Sequence, residues 1–137
     1  MELLASKLFA LDSGIRYVAV NQRGAIVEME QRSEWPSRNP PDTDRMEELL
    51  LNPLLLEATK RRGDLDLDGV RYVIIRYGSQ YQAIFPFEAG HVSVGIEPGS
   101  DVDGIARRVA EHLEVFDRKP RGEADEASAS ASGNSAA

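Results

Sequence analysis

The clearest pattern of hydrophobic and polar positions lies in residues 70–97. Apolar side chains there recur at alternate or consecutive positions in three runs, 70–77, 81–87 and 91–97. Gly-containing turns separate the runs, and Val92, Val94 and Ile96 alternate with smaller or polar residues in the last of them. Alternation of this kind places the apolar side chains on one face of a strand. The pattern predicts three consecutive antiparallel strands, which says more about architecture than about chemistry.

The N-terminal part of the chain predicts a short helix followed by a hairpin. Leucines at helical spacing indicate a helix over residues 2–11, and runs of small and β-branched residues indicate strands over 15–21 and 25–30. In the second strand we expect Val27 to face the core and Glu28 to face water, because one face of an antiparallel sheet is often solvated.

Residues 44–62 predict the middle helix of the domain. Pro53 lies inside it and predicts a kink or two helices in series, and Gly63 predicts its end. Six leucines lie within eight consecutive residues of this helix: Leu49, Leu50, Leu51, Leu54, Leu55 and Leu56. Packing on one side of a sheet requires a single apolar stripe, and these leucines cover more than one. In so short a chain we expect the excess to contact a partner.

The remaining segments complete a single-domain plan. Residues 31–41 contain three prolines and predict a loop, in which Trp35 is expected to pack onto the core. Residues 100–114 show apolar positions at helical spacing and predict a final helix. Ala, Ser and acidic residues dominate the C-terminal end. We therefore predict an α+β domain over 1–116 and a disordered tail over 117–137.

Composition narrows the class of partner. The net charge is −7, and the chain contains no cysteine. Phosphate-backbone binding depends on Lys and Arg, so we expect no nucleic-acid partner. The absence of cysteine excludes disulfides and thiolate chemistry. No apolar run approaches the ~20 residues that a membrane-spanning helix needs, and a signal-peptide pattern is lacking, so the sequence predicts a cytoplasmic protein.

Few residues suggest chemistry. Asp64, Asp66 and Asp68 resemble the first half of an EF-hand calcium loop, but Ile75 occupies the position that requires a bidentate Glu. We therefore predict no metal site and no cofactor. His91 and His112 lie in no recognisable motif and are expected at the surface. Since no nucleophile–base pair is visible, we do not expect an enzyme.

The order of elements, α-β-β-α-β-β-β-α, resembles that of the roadblock/dynein light chain family. Two local patterns strengthen the resemblance to its prokaryotic branch: residues 16–20, which lead through Gly24 into a hairpin, and residues 71–78, which lead into the strand meander. The resemblance implies a profilin-like, five-stranded antiparallel sheet in the order 2-1-5-4-3. The first and last helices would cover one face and the middle helix the other. It also implies a non-enzymatic scaffold or regulator, often of small Ras-like GTPases.

The resemblance further implies a homodimer formed through the middle helix and the edge of the third strand, in agreement with the excess of leucine. We predict that the dimer interface includes Leu50, Leu54, Tyr72 and Ile74. The alternative is a small-ligand sensor of the PAS or GAF kind, which also stacks helices on a five-stranded antiparallel sheet. A sensor requires a cavity with convergent polar groups, and the predicted sheet offers mainly aliphatic side chains.

Overall fold

A computed structural model describes residues 3–32, 41–88 and 90–118. The predicted loop around Trp35 and most of the predicted tail lie outside these residues. The helices are α1 (Leu4–Phe9), α2 (Pro41–Met46), α3 (Asn52–Asp66) and α4 (Val102–Arg118). A π-helical turn (Glu47–Leu51) joins α2 to α3, and we refer to residues 41–66 together as the middle helix. The strands are β1 (Ile15–Gln22), β2 (Ala25–Gln31), β3 (Val73–Arg76), β4 (Tyr81–Phe87) and β5 (Gly90–Ile96).

The five strands form one antiparallel sheet in the order β2-β1-β5-β4-β3. The predicted fold class and strand order are therefore confirmed. Antiparallel neighbours need only short turns, and β1 connects to β2 through Arg23 and Gly24, which both have positive φ. This conformation suits a two-residue hairpin turn. The order leaves β2 and β3 at the two edges of the sheet and β5 at its centre.

The hydrophobic core lies between one face of the sheet and helices α1 and α4. Val92, Val94 and Ile96 of β5 are fully buried there, as their alternation predicted. The helices contribute apolar side chains to the same cluster, among them Leu8 and Ile105. This side of the sheet follows the ordinary rule that apolar side chains leave water on folding. The opposite face of the sheet, covered by the middle helix, also buries several polar side chains.

The prediction of which β2 side chains face the core is wrong. Val27 is 52% exposed, whereas Glu28 turns towards α1. The Glu28 carboxylate accepts hydrogen bonds from the backbone N–H groups of Leu4 and Ala5, at 3.2 and 2.8 Å. The first N–H groups of a helix have no partner within the helix, so a carboxylate from a neighbouring strand can satisfy them. The charge that was expected to face water instead caps a helix.

The predicted end of the middle helix at Gly63 is also wrong. The helix continues to Asp66, and Gly63 is buried against the chain that leaves the helix. A Cβ atom at Gly63 would lie 2.8 Å from the backbone of Gly69. The glycine therefore allows a close approach of two backbone segments rather than ending the helix.

The acidic residues that resembled a calcium loop belong to this helix end. Asp64 and Asp66 each form an ion pair with a basic residue one turn earlier, and Asp68 pairs with Arg71. Pairs spaced by three or four residues on a helix surface add modest stability. Within the part of the chain that is described, no group of three potential ligands is arranged to hold a metal. No helix in that part is long and apolar enough to cross a bilayer.

Candidate functional site

The outward side of the middle helix carries an unusual number of exposed apolar side chains. Leu50 and Leu54, two of the predicted interface residues, are 66% and 70% exposed. They belong to a patch that we call the leucine face: Met46, Leu49, Leu50, Leu51 and Leu54. Single exposed apolar residues are common, whereas larger groups of them are typical of interaction surfaces. The sequence prediction that the leucines exceed what the sheet can cover agrees with this exposure.

Strand β3 is an edge of the sheet near the leucine face. It pairs with β4 on one side, and its other side has no strand partner among the described residues. Tyr72 and Ile74, the other two predicted interface residues, are half-buried and pack against the core. The Tyr72 ring centroid lies 5.4 Å from that of Phe85. The edge therefore offers its backbone N–H and C=O groups, whereas these two side chains support the core.

A hydrogen bond connects the middle helix to the chain just after β3. Tyr77 donates its hydroxyl hydrogen to the Glu47 carboxylate at 2.9 Å. Beside this bond lies a hollow of about 260 Å³. Its walls come from the helix and from the turn between β3 and β4: Thr43, Asp44, Met46, Glu47, Leu51, Tyr77, Ser79 and Gln80. The leucine face and the β3 edge are thus parts of one region of the surface.

The inward side of the middle helix is mainly polar. Asp44, Glu48, Asn52 and Leu56 are its buried residues at a spacing of four, and only the last of them is apolar. The face of the sheet beneath them is mixed, because Ala19 and Ile84 are buried there together with the polar residues Asn21, Gln82, His91 and Ser93. A helix that buries polar side chains and exposes most of its leucines reverses the usual arrangement. The helix must be held to the sheet largely by hydrogen bonds.

Glu48 is the centre of this polar contact and is completely buried. Tyr17 from β1 donates its hydroxyl to Glu48 Oε2 at 2.9 Å, and the Ser93 hydroxyl of β5 donates to the same oxygen. His91 Nε2 lies 2.9 Å from Oε1, and Asn52 donates to Oε1 at 3.3 Å. A buried carboxylate is tolerated only when its charge is satisfied in this way. We call these five residues the Glu48 cluster.

The π turn explains how one stripe at a spacing of four can stay buried. An α-helix has about 3.6 residues per turn, so side chains spaced by four drift around its axis. The Asn52 N–H donates to Glu47 O, an i→i+5 bond whose wider turn compensates the drift. As a result Asp44, Glu48, Asn52 and Leu56 are all buried.

Pro53 gives a physical reason for the wide turn. Proline has no N–H to donate to the carbonyl group four residues earlier, here that of Leu49, and its ring crowds that carbonyl. The structure places Pro53 at the first turn of α3, directly after the π turn. The sequence predicted an interruption at this residue, and the structure shows a π turn in place of a sharp break.

The sequence analysis missed the Glu48 cluster. His91 was expected at the surface and is 97% buried, with 3% of its area exposed. A signal existed: His91 and Ser93 alternate with Val92 and Val94 on a strand that both layers of helices cover. A central strand with buried faces cannot leave two polar side chains in water, so they need a buried partner. Nothing in the sequence pattern names Glu48 as that partner.

The geometry of the cluster anchors a helix and does not resemble a hydrolytic triad. A nucleophilic Ser must give its proton to a His, which a carboxylate then orients. Here both Ser93 and His91 contact Glu48. The carboxylate is inaccessible to a substrate. Another open hollow, of about 350 Å³, lies away from the cluster beside β4 and α4, and it is lined by Val70, Arg71, Phe85, Pro86, Phe87, Ala110, Leu113 and Glu114.

Two tyrosines beside the middle helix should lose their hydroxyl protons only at an unusually high pH. Burial raises the pKa of Tyr77 to about 12, and burial next to Glu48 raises the pKa of Tyr17 above its usual value. Their contribution to stability is complete below about pH 10, where unfolded tyrosine ionises, and is lost as the pH rises towards the folded pKa. We expect urea unfolding at increasing pH to show a decline above about pH 10 that is shallower in Tyr77→Phe. Parallel curves for both proteins would contradict this.

Comparison with solved structures places the fold in a known class. By sequence, neither protein-family models nor curated proteins give a match. By structure, the chain is similar to MglB in a tetrameric arrangement, with 16% identity, a TM-score of 0.59, and coverage of 82% of this chain and 83% of that one. It is similar to the gliding protein MglB of Thermus thermophilus, with 12% identity, a TM-score of 0.60, and coverage of 82% and 84%. It is also similar to a roadblock/LC7 domain from Streptomyces avermitilis, with 14% identity, a TM-score of 0.59, and coverage of 81% and 92%.

These similarities define a class of fold. The element order, the strand order and the placement of helices are those of a roadblock-like domain. The chain has a roadblock-like fold, as the sequence resemblance predicted.

Proposed function

We propose that this chain is a non-enzymatic, homodimeric interaction module whose dimer forms through the leucine face and the β3 edge. The observation that carries the proposal is the exposure of the leucine face, whose members are between 39% and 70% exposed. Leaving so much apolar area in water is unfavourable, by about 25 cal/mol per Å². A partner that covers it gains that free energy on binding.

A second copy of the chain is the occupant that fits best. A symmetric dimer presents the same patch twice, so one apolar face covers another. The adjacent β3 edge has backbone groups that a second β3 can pair with across the same two-fold axis. Pairing would also remove an exposed edge, which otherwise promotes aggregation. Both features lie in one region of the surface, linked by Tyr77 and Glu47.

The regulatory part of the proposal concerns a small Ras-like GTPase. The roadblock-like fold and the structural similarity to MglB support a scaffold or regulator of such a protein. The net charge of −7 gives no support to a nucleic-acid partner. The burial of the Glu48 cluster, which keeps its carboxylate away from any substrate, favours binding over catalysis.

Sedimentation equilibrium of the full chain tests the dimer. We expect the weight-average mass to approach twice 15.1 kDa in the micromolar range. A chain that stays at 15.1 kDa up to the highest soluble concentration would overturn the proposal of a dimer.

A binding experiment tests the regulatory part of the proposal. Purified Ras-like GTPases from the organism that encodes this chain are loaded with GDP or a non-hydrolysable GTP analogue, and their binding to the chain is measured. Binding that differs between the two nucleotide states supports regulation, and equal or absent binding contradicts it.

A further inference from the structure

We propose that the Glu48 cluster positions the leucine face, by fixing the rotation of the middle helix on the sheet. The inference rests on the proposed dimer. Glu48 and Leu49 are neighbours, yet the first is completely buried and the second is 44% exposed. Which of the two points to the sheet decides whether the leucine face is available to a partner.

The leucine-rich helix has more than one way to pack. Apolar contacts have no preferred direction, and a sheet surface accepts any apolar stripe of suitable size. Rotating the middle helix by about 100°, the angle between consecutive residues of an α-helix, would bring Leu49 towards the sheet in place of Glu48. Such a rotation would hide part of the leucine face. The apolar side chains alone therefore do not determine the observed orientation.

The hydrogen bonds of Glu48 remove this ambiguity. They are directional, and they come from two strands, with Tyr17 on β1 and with His91 and Ser93 on β5. If the helix rotated, these donors would lose their acceptor while remaining buried, which is unfavourable because a buried polar group without a partner is not compensated for its lost hydration. A buried polar group that selects one packing arrangement over its competitors is an established use of such groups. Here the selected arrangement keeps the leucine face outward.

The side chains of β5 also disfavour the rotated arrangement of the helix. Beneath the middle helix, β5 presents the buried polar side chains of His91 and Ser93. A leucine placed over them would satisfy none of their hydrogen bonds. His91 and Ser93 therefore disfavour a leucine above them and favour Glu48, so both effects select the same rotation.

The sharpest test changes the sheet and leaves the helix intact. The double variant Tyr17→Phe/Ser93→Ala removes both hydrogen bonds to Oε2 and alters no residue of the leucine face. We expect its self-association to weaken by about tenfold, within the range for residues coupled through one network. We also expect amide hydrogen exchange to accelerate in residues 47–56 before it does in the strands.

A control separates positioning from general destabilisation. Ile105→Val removes one methyl group from the core on the opposite face of the sheet. It should lower the melting temperature while leaving the dissociation constant within about twofold of wild type, because distant sites act independently. Glu48→Gln keeps the shape of the side chain and one acceptor oxygen, and the hydroxyl donors can rotate, so it should retain more of the association than the double variant does.

The outcomes distinguish the two proposals. If the wild type is monomeric, the proposed dimer fails, and hydrogen exchange in residues 47–56 alone decides whether the cluster fixes the helix. If the wild type is dimeric and the double variant matches it in both association and exchange, the positioning role is wrong while the dimer stands. If Ile105→Val weakens association as much as the double variant does, the effect is one of general stability and the inference is overturned.

Discussion

Replacing Glu48 with Ala is expected to lower the free energy of unfolding by about 3–5 kcal/mol, because it removes one member of a buried polar network and leaves its partners unpaired. The hydroxyl groups of Tyr17 and Ser93 and the nitrogens of His91 and Asn52 would all lose their shared acceptor. For a domain whose total stability is of the order of 5–15 kcal/mol, this is a large fraction. Urea unfolding, repeated at several protein concentrations to separate dimerisation from folding, measures the change.

A second glutamate on the same helix provides the matched control. Glu57 is exposed and forms an ion pair with Arg61 at 2.9 Å. Glu57→Ala should change the free energy of unfolding by no more than about 0.5 kcal/mol, since exposed pairs contribute little. A loss below about 1 kcal/mol for Glu48→Ala would contradict the buried network, because a single unpaired buried group costs at least that much.

The losses of stability caused by substitutions within this network should not be additive. Ser93→Ala removes one donor, and in the Glu48→Ala background that donor is already without its acceptor. The double variant should therefore lose less stability than the two single losses added together, as expected for residues within one network. Strict additivity would show that Ser93 and Glu48 do not interact in solution.

The apolar half of the fold could be predicted from the sequence. Alternation along β5 placed Val92, Val94 and Ile96 in the core, and the helical spacing in α4 placed Ile105 with them. Those assignments depend on local periodicity, which the sequence displays directly. The strand order came from the resemblance to roadblock domains, because β1 and its partner β5 are far apart in the chain and their pairing leaves no local pattern.

The polar half could not be predicted, for two physical reasons. The rule that apolar side chains are buried favours leucines over Glu48 and Asn52 for the inner face of the middle helix, whereas the structure buries Glu48 and Asn52. The hydrogen bond between Glu48 and His91 joins residues 43 positions apart, so neither local sequence suggests the other. In addition, the π turn shifts the phase of the helix, and a template with about 3.6 residues per turn assigns the wrong faces beyond it.

The sequence also led to wrong predictions at residues whose type is compatible with two structural roles. Gly63 could end a helix or allow two backbones to approach, and only the position of Gly69 decides for the second role. Glu28 could be a solvated strand residue or a helix cap, and the proximity of the N–H groups of Leu4 and Ala5 decides for the cap. In both cases the deciding partner is brought close by tertiary structure, which residue type and spacing do not contain.

Replacing both Leu50 and Leu54 with Glu is expected to convert the proposed dimer into a monomer. The two side chains are 66% and 70% exposed, so their replacement should leave the fold of the monomer nearly unchanged. Glu is a good helix former, and the leucines make no contribution to the core cluster. In a two-fold interface, however, four carboxylates would be buried without partners, at a cost of several kcal/mol each. We expect the dissociation constant to rise by at least about a hundredfold, equivalent to about 2.8 kcal/mol.

A control with the same change of charge and composition lies further along the chain. Leu65 and Leu67 are 79% and 59% exposed and lie at and just beyond the end of α3, away from the leucine face. Leu65→Glu/Leu67→Glu should therefore sediment as wild type does. Sedimentation equilibrium of the three proteins, with circular dichroism to verify that each is folded, gives the comparison. Equal dissociation constants for the two double variants would show that the leucine face is not the dimer interface, because each pair adds the same charge and only the position differs.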